Sequence, residues 1–391
     1  MTTRQSKIER LIVKFCPNGV EFKELGAVCK IETGKLNANA AVDDGKYMFF
    51  TTAKEPSKID RYRWDTEALL IAGNANVGEI KHYIGKFEAY QRTYVLTNFS
   101  KDVDVRFLFF SLSDNFKKYL ENHTNSAAMT YIVLSTLENF KIPLPPLAVQ
   151  EAVVKILNSF TELEAELEAE LEARKKQYEH YREKLLTCDQ RINRKALGEV
   201  TLLTNNIKWK DTNKTYRYID LTSVSREDHS ICEAVEIDAN NAPSRAQKII
   251  EKNDVIFATT RPTLRRFTLI GDNFDRQVAS TGYCVLRTKK DVVLPKWIYF
   301  NIASNVFNDY VEKNQEGSAY PSISDAKVKA FMIPVPPIAE QERIVNILDK
   351  FDALVNDISV GLPAELSARR QQYEYYRGKL LTFREKEYAN K

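Results

Sequence analysis

One phrase occurs twice in this 391-residue chain. Lys141-Ile142-Pro143-Leu144-Pro145-Pro146-Leu147-Ala148-Val149-Gln150-Glu151 leads into an apolar-periodic run that ends Gln177-Tyr178-Glu179-His180-Tyr181-Arg182-Glu183-Lys184-Leu185-Leu186-Thr187. Met332-Ile333-Pro334-Val335-Pro336-Pro337-Ile338-Ala339-Glu340-Gln341-Glu342 leads into a second run that ends Gln372-Tyr373-Glu374-Tyr375-Tyr376-Arg377-Gly378-Lys379-Leu380-Leu381-Thr382. A repeat constrains architecture more than any local propensity, and this one is far too long for a solenoid unit. It predicts a duplicated domain plus helix, with pseudo-twofold internal symmetry. The offset between copies grows from 172 residues at Leu25 and Leu197 to 191 at Pro143 and Pro334. The second half therefore carries insertions inside its globular part while the frame is shared. Loops carry function and tolerate insertion, so two halves of this kind can read different ligands from one scaffold.

The long runs have the spacing of helical seams. Val153, Ile156, Phe160, Leu163, Leu167, Leu171, Tyr178, Tyr181 and Leu185 recur at steps that keep one stripe, as do Ile344, Ile347, Phe351, Leu354, Ile358, Leu362, Leu366, Tyr373, Tyr376 and Leu380. The second run has four more residues between its Phe and its first Tyr, a stutter of about one turn. Gly361 and Pro363 lie in that insertion and predict a kink. The first run holds three tandem tetrads, Glu162-Leu163-Glu164-Ala165 and its copies at 166–169 and 170–173.

Elsewhere the text reads as short strands and turns. Tyr47–Phe50, Ala68–Ala72 and Arg92–Leu96 predict strands, and Asp104–Leu120 predicts a helix whose counterpart opens at Trp297. A short amphipathic helix with Ile8, Leu11, Ile12 and Phe15 on one face precedes a stop at Cys16-Pro17-Asn18-Gly19.

The formal net charge is only +4, because glutamates at 162–172 offset basic stretches at 54–63, 81–92, 208–217 and 261–276. Five scattered cysteines point to reduced thiols in a cytoplasm and not to a disulfide frame. Neither a secretory signal nor a membrane span is expected. Catalytic patterns are missing as well. The only Pro-Pro pairs sit at helix entrances, and neither Gly34-Lys35-Leu36 nor Gly85-Lys86-Phe87 completes a phosphate loop. No Pro-Asp pair opens a nuclease site, and none of the four histidines has neighbours that make a triad or a metal cage. The chain reads as non-catalytic, without a metal site.

The doubled elbow and the doubled Gln-Tyr-Glu-x-Tyr-Arg-x-Lys-Leu-Leu-Thr ending resemble the specificity subunit of type I restriction-modification enzymes, over essentially the whole chain. The resemblance implies an α+β protein with two similar target-recognition domains separated by two long antiparallel coiled-coil-like helices. The expected division is an N-terminal helix (1–19), a first recognition domain (20–146), a central spacer helix (147–190), a second recognition domain (191–337) and a distal spacer helix (338–391). It also implies a bipartite double-stranded DNA target. Two modification subunits would carry S-adenosylmethionine, and restriction subunits would add cleavage. Tetrads in the central helix resemble a spacer-adjusting device of that family. The rival reading is a scaffold with two protein-binding heads on a helical rod; an enzyme with an unrecognised site is a third.

Direct readout needs Arg or Lys for guanine and Asn or Gln for adenine, with hydroxyl and backbone groups on phosphate. In the first half Asn74, Asn76 and Gly78 lie in one polar loop, and Gln91, Arg92 and Thr93 precede a strand. In the second half Thr260, Arg261, Thr263, Arg265 and Arg266 replace the Gly-Asn loop, and Arg276, Gln277, Ser280 and Thr281 parallel Gln91–Thr93. Hairpin turns are the plain alternative for each. Residues 125–127 and 317–322 are weaker candidates, and Tyr178, Tyr181, Tyr373 and Tyr376 read as interhelical core.

Overall fold

The computed structural model describes residues 10, 12, 14–123, 131–187, 192–357 and 360–386. The chain divides into two compact units, Met1–Ala165 with Ala368–Lys391, and Glu166–Ser367.

In the first unit the strands are β1 (Glu21–Glu24), β2 (Lys30–Thr33), β3 (Tyr47–Phe50), β4 (Ser57–Ile59), β5 (Trp64–Ala72), β6 (Ile80–Ala89), β7 (Thr93–Thr97) and β8 (Lys141–Leu144). Six of them form one sheet in the order β2-β7-β5-β6-β3-β4. All its pairs are antiparallel except β3 with β6. The run Ala68–Ala72 lacks polar alternation because β5 is covered on both faces. Leu69 and Ile71 pack with Leu108, Leu112 and Phe116 of the helix Val105–His123, whereas Ala68 and Leu70 pack with Phe50, Trp64 and Phe87.

The second unit contains β9 (Arg194–Ala196), β10 (Thr201–Leu202), β11 (Tyr216–Ile219), β12 (Val235–Ile237), β13 (Ala246–Ile250), β14 (Val255–Ala258), β15 (Phe267–Leu269), β16 (Gln277–Ser280), β17 (Tyr283–Thr288) and β18 (Met332–Pro334). Its sheets run β10-β17-β14-β15 and β12-β11-β16-β13. The first order repeats β2-β7-β5-β6. The second repeats β4-β3-β6-β5, down to the single parallel pair, β11 with β16. Each long strand of the first unit is thus two strands here, parted at 251–254 and 270–276. The insertions inferred from the growing offset split a sheet and leave its topology intact.

The elbow explains why its sequence is duplicated. β8 pairs with β1 from Lys141↔Glu24 to Leu144↔Glu21, and β18 pairs with β9 from Met332↔Ala196 to Pro334↔Arg194. Each is a two-stranded ribbon, so an edge is open for proline, which lacks the N–H a central strand needs. Beside it the Leu25 N–H donates to Phe140 O at 2.8 Å, and the Leu197 N–H to Phe331 O at 2.9 Å. The fully buried amides of Gln150 and Gln341 complete the joint. Gln150 Nε2 donates to Pro145 O (2.6 Å) and Asp102 O (2.8 Å), while its Oε1 accepts from the Asp104 N–H (2.8 Å). Gln341 repeats this with Pro336 O (2.8 Å), Val292 O (3.1 Å) and the Leu294 N–H (3.0 Å). One amide in each unit ties the start of a long helix to the loop that opens the domain helix.

The first long helix runs Leu147–Thr187 without interruption, 41 residues. The distal one is not a kinked rod but two helices, Ile338–Asn356 and Leu362–Leu381. Gly361 closes the turn by donating to Asp357 O, and a Cβ there would lie 2.3 Å from Ala353 O. Pro363 sits in the first turn of the second helix, where no intrahelical N–H is lost. Within the first unit Val149, Val153 and Leu157 pack with Leu380 and Leu381, and Phe160 stacks on Tyr376. Within the second, Tyr178 donates to Asp352 (3.1 Å) and both Tyr178 and Tyr181 stack on Phe351. The predicted stripe is corrected in detail: Leu163 and Tyr181 are exposed, while Leu157 and Leu186 are buried. No residue from 161 to 176 is buried. Ile358, and Ile8 and Leu11 of the predicted N-terminal helix, lie outside the described residues; 10, 12, 14 and 15 are helical. Among the described residues no helix is long and apolar enough to cross a membrane.

Candidate nucleic-acid interface

The two candidate loops hang in the same backbone frame. In the first unit Gly73, just after β5, donates to Arg92 O (2.8 Å) and accepts from the Ile132 N–H (2.8 Å), and Asn74 bridges Tyr131. In the second, Thr259 donates to Gly282 O (2.7 Å) and accepts from the Ile323 N–H (2.9 Å), and Thr260 bridges Ser322. The next residue is left-handed in both, Ala75 at φ 55° and Arg261 at φ 48°. A strand end, a turn and the segment before the elbow therefore meet at one edge of each unit. What they present there differs.

In the first unit Asn76 is exposed and gives Nδ2 to Thr52 O (2.7 Å). Gly78, at φ 77°, donates to Ala72 O and closes the loop, and Asn74 Oδ1 is buried without a hydrogen-bond partner. Gln91 and Arg92 are exposed on the neighbouring turn. Thr93 was grouped with them by sequence but lies 1% exposed inside the sheet, because β7 begins there. The Gln91 N–H donates to Leu36 O (2.9 Å), which brings exposed Lys35, Asn37 and Asn39 beside it. Gly34-Lys35-Leu36 completes no phosphate loop, but it leads into these residues. Two asparagines spaced by one alanine after a strand were the available signal.

In the second unit Arg261 is exposed, its N–H held by Pro321 O (2.7 Å) and its guanidinium over the Tyr320 ring at 4.8 Å. Tyr320 is itself 71% exposed, so this stacked pair projects from the surface. Thr260 and Thr263 are half-buried beside it. The neighbouring arginines point inward. Arg265 donates to Ala303 O, and Arg266 donates to Val224 O and to Thr222 O (3.2 Å). Burial holds Arg265 below the usual arginine range, with Arg182 adding to the effect. Ser280 is fully buried and its Oγ accepts from Gly282 N, while Thr281 is half-buried and donates to Arg245 O (2.7 Å). Exposed Arg245, immediately before β13, joins the edge this way. Gln277 is occupied between the Arg217 N–H (2.7 Å) and Asp275 O, and Arg276 stands exposed beside Asp275. Residues 125–127 lie outside the described residues.

Both units thus offer a polar edge of Asn, Gln, Arg, Thr and Tyr side chains, the chemistry of base edges and phosphates. Among the described residues no group of three or more His, Cys, Asp or Glu could hold a metal ion. The family described as the type I restriction modification DNA specificity domain matches residues 17–173 and again residues 194–368. The chain belongs to that family. The specificity subunit of the type I restriction enzymes EcoR124I and EcoR124II of Escherichia coli is 33% identical over 64% of this chain and 65% of its own length. The EcoDI specificity subunit, also of E. coli, is 27% identical over 86% and 82%. The chain therefore spans just under two thirds of the first relative and most of the second. A crystal structure of the type I restriction-modification S subunit from M. genitalium shares the fold, with TM-score 0.56 at 14% identity, covering 93% of this chain and 96% of that one. A type I specificity subunit with two DNA specificity domains is the reading these relatives favour over a protein-binding scaffold.

Proposed function

We propose that this protein selects the target of a type I restriction-modification enzyme and leaves the chemistry to its partners. Each recognition domain, 20–146 and 191–337, reads one half of a bipartite duplex site. The first does so with Asn76, Gln91 and Arg92, joined by Lys35, Asn37 and Asn39. The second uses Thr260, Arg261, Thr263 and Thr281, joined by Tyr320 and Arg245, with Arg276 on phosphate. Thr93, Ser280, Arg265, Arg266 and Gln277 support these edges from within. The observation that carries the reading is the shared hydrogen-bond frame around loops of unrelated sequence. A common frame fixes how each edge meets a duplex, and the unrelated side chains give each edge its own sequence. The long helices act as antiparallel spacers and dock two modification subunits, which bind S-adenosylmethionine. Mapping methylated bases in DNA exposed to the chain and its modification subunit tests this. Two short specified sequences at a constant gap are expected. A single continuous site, or methylation by the chain alone, overturns it.

A further inference from the structure

Beyond target reading, the internal repeat reveals a cationic cleft in the second unit. Arg377 and Arg182 occupy the same place in the duplicated helix ending, and each lies against the ring of the preceding Tyr, Tyr373 and Tyr178. In the first unit Arg377 has a buried carboxylate, since its Nε donates to Asp114 at 2.9 Å. The helix that supplies Asp114 has the counterpart Pro295–Ala303, and there Ser304 stands where Asp114 would. Ser304 Oγ is spent capping the next helix, accepting from the Phe307 N–H. Arg182 thus lacks the carboxylate that Arg377 has, without losing its burial. It is 7% exposed, its Nε has no partner, and the Glu183 carboxylate reaches it only at 3.5 Å. Glu183 is itself engaged by the Asn305 N–H at 2.8 Å. A buried guanidinium without a full partner costs several kcal/mol, a reason to look for the missing anion.

Arg182 opens into a cleft of about 270 Å³ that is also lined by Lys175, Arg226, Arg265, Glu179 and Glu227. Four cations face two carboxylates there. His229 lies on the same wall at φ 58°, its ring against Phe267 and its buried Nδ1 unpaired. The volume is below the roughly 300–1,000 Å³ of drug-sized sites, so it fits a single group. We infer that this cleft binds a phosphate dianion, free or as the terminal group of a monoester, with Arg182 as its buried anchor. The charge of such a group, about −1.5 to −2 at neutral pH, suits walls on which the cations outnumber the carboxylates even with Glu183 counted. A carboxylate or a phosphodiester supplies only one.

The test is calorimetric titration of the full-length chain at constant ionic strength. Its three arms are inorganic phosphate, a nucleoside monophosphate and a short duplex lacking terminal phosphates. Saturable binding of phosphate is expected, with the monophosphate at the same site if the natural source is an ester. Arg226→Gln and Lys175→Gln, both at the rim, should each weaken it about tenfold or more, the equivalent of about 1.4 kcal/mol. Ser304→Asp restores the first unit's carboxylate at a position where Asp also caps a helix, and should abolish binding. Failure of both small phosphates to bind overturns the inference, as does affinity unchanged in the two rim variants. Competition for the cleft by the duplex alone assigns it to DNA and equally overturns the inference.

Discussion

Truncating Gln341 to Ala removes one amide that touches three groups of the second unit's joint. The Leu294 N–H and the carbonyls of Val292 and Pro336 would lose partners at 3.0, 3.1 and 2.8 Å, in a place with no exposure at Gln341 itself. Each buried polar group left unpaired costs about 1–3 kcal/mol. Relaxation and shared partners make the sum less than additive, so a loss of about 3–5 kcal/mol is expected, a large share of the 5–15 kcal/mol typical of a domain. Gln341→Glu separates the parts. It keeps the acceptor for Leu294 but turns an anion toward two carbonyls, and it should recover partly on acidification as the carboxyl gains a proton to donate. Gln150→Ala is the internal duplicate, with Asp104, Asp102 and Pro145 as the orphaned groups. Denaturant melts of a two-unit protein are not guaranteed to be two-state, so hydrogen exchange by mass spectrometry is the better assay. Exchange should rise around Leu294 and β18 in the Gln341 variant only, and around Asp104 and β8 in the Gln150 variant only. If both alanine variants stay within about 1 kcal/mol of the parent and exchange is unchanged, the clamp is not what holds helix to domain.

Arg261→Ala should weaken recognition of the second half-site by about 1–3 kcal/mol if it reads a base, with the fold intact. Arg266→Ala should instead lower stability by about 1.5–3 kcal/mol, since a charged donor to two carbonyls is lost; footprinting and melting curves distinguish the two. Deleting Glu166–Ala169 shortens the uninterrupted helix by about 6 Å with a residual rotation of about 40°, in the stretch where no side chain is buried. Methylation mapping should show both half-site sequences retained with one or two base pairs less between them, and an unchanged gap at full activity would refute the ruler. Burial, with Arg265 and Arg182 nearby, pushes His229 down to about 4, only partly opposed by Asp228 and Glu227. The folded state then binds fewer protons than the unfolded one, so stability should fall as pH drops from about 6.5 toward 4. His229→Gln should flatten that window. Thiol labelling should mark exposed Cys232 quickly and buried Cys284, whose thiol burial pushes up to about 12, only on unfolding.

The repeat, the long helices and the strands at 47–50 and 68–72 were legible because each rests on periodicity or duplication. The end of the helix at Asn356 was only half legible. Gly361 and Pro363 signal a disturbance, but whether a helix bends or stops depends on the carbonyls that crowd Gly361. The candidate edge was located but not resolved residue by residue. Thr93 and Ser280 belong to strands whose registers turn them inward, and sequence cannot show where a turn ends to within one residue. Arg265 and Arg266 looked like DNA ligands because three arginines close together suggest an exposed cluster. The carbonyls of Ala303, Thr222 and Val224 that claim two of them come from distant segments. The Gln clamp is not legible within the elbow, since a glutamine at a helix start gives no hint of burial.

The ribbons β1/β8 and β9/β18 carry an implication for how such proteins change. In each, the chain enters and leaves the globular part on adjacent, hydrogen-bonded strands. Whatever lies between them can therefore be lengthened, rewritten or exchanged for a foreign segment while the flanking helix still departs from the same spot. A crossover between genes within the coding stretch for each ribbon would transplant a whole globular part and leave the departure point of the flanking helix unchanged.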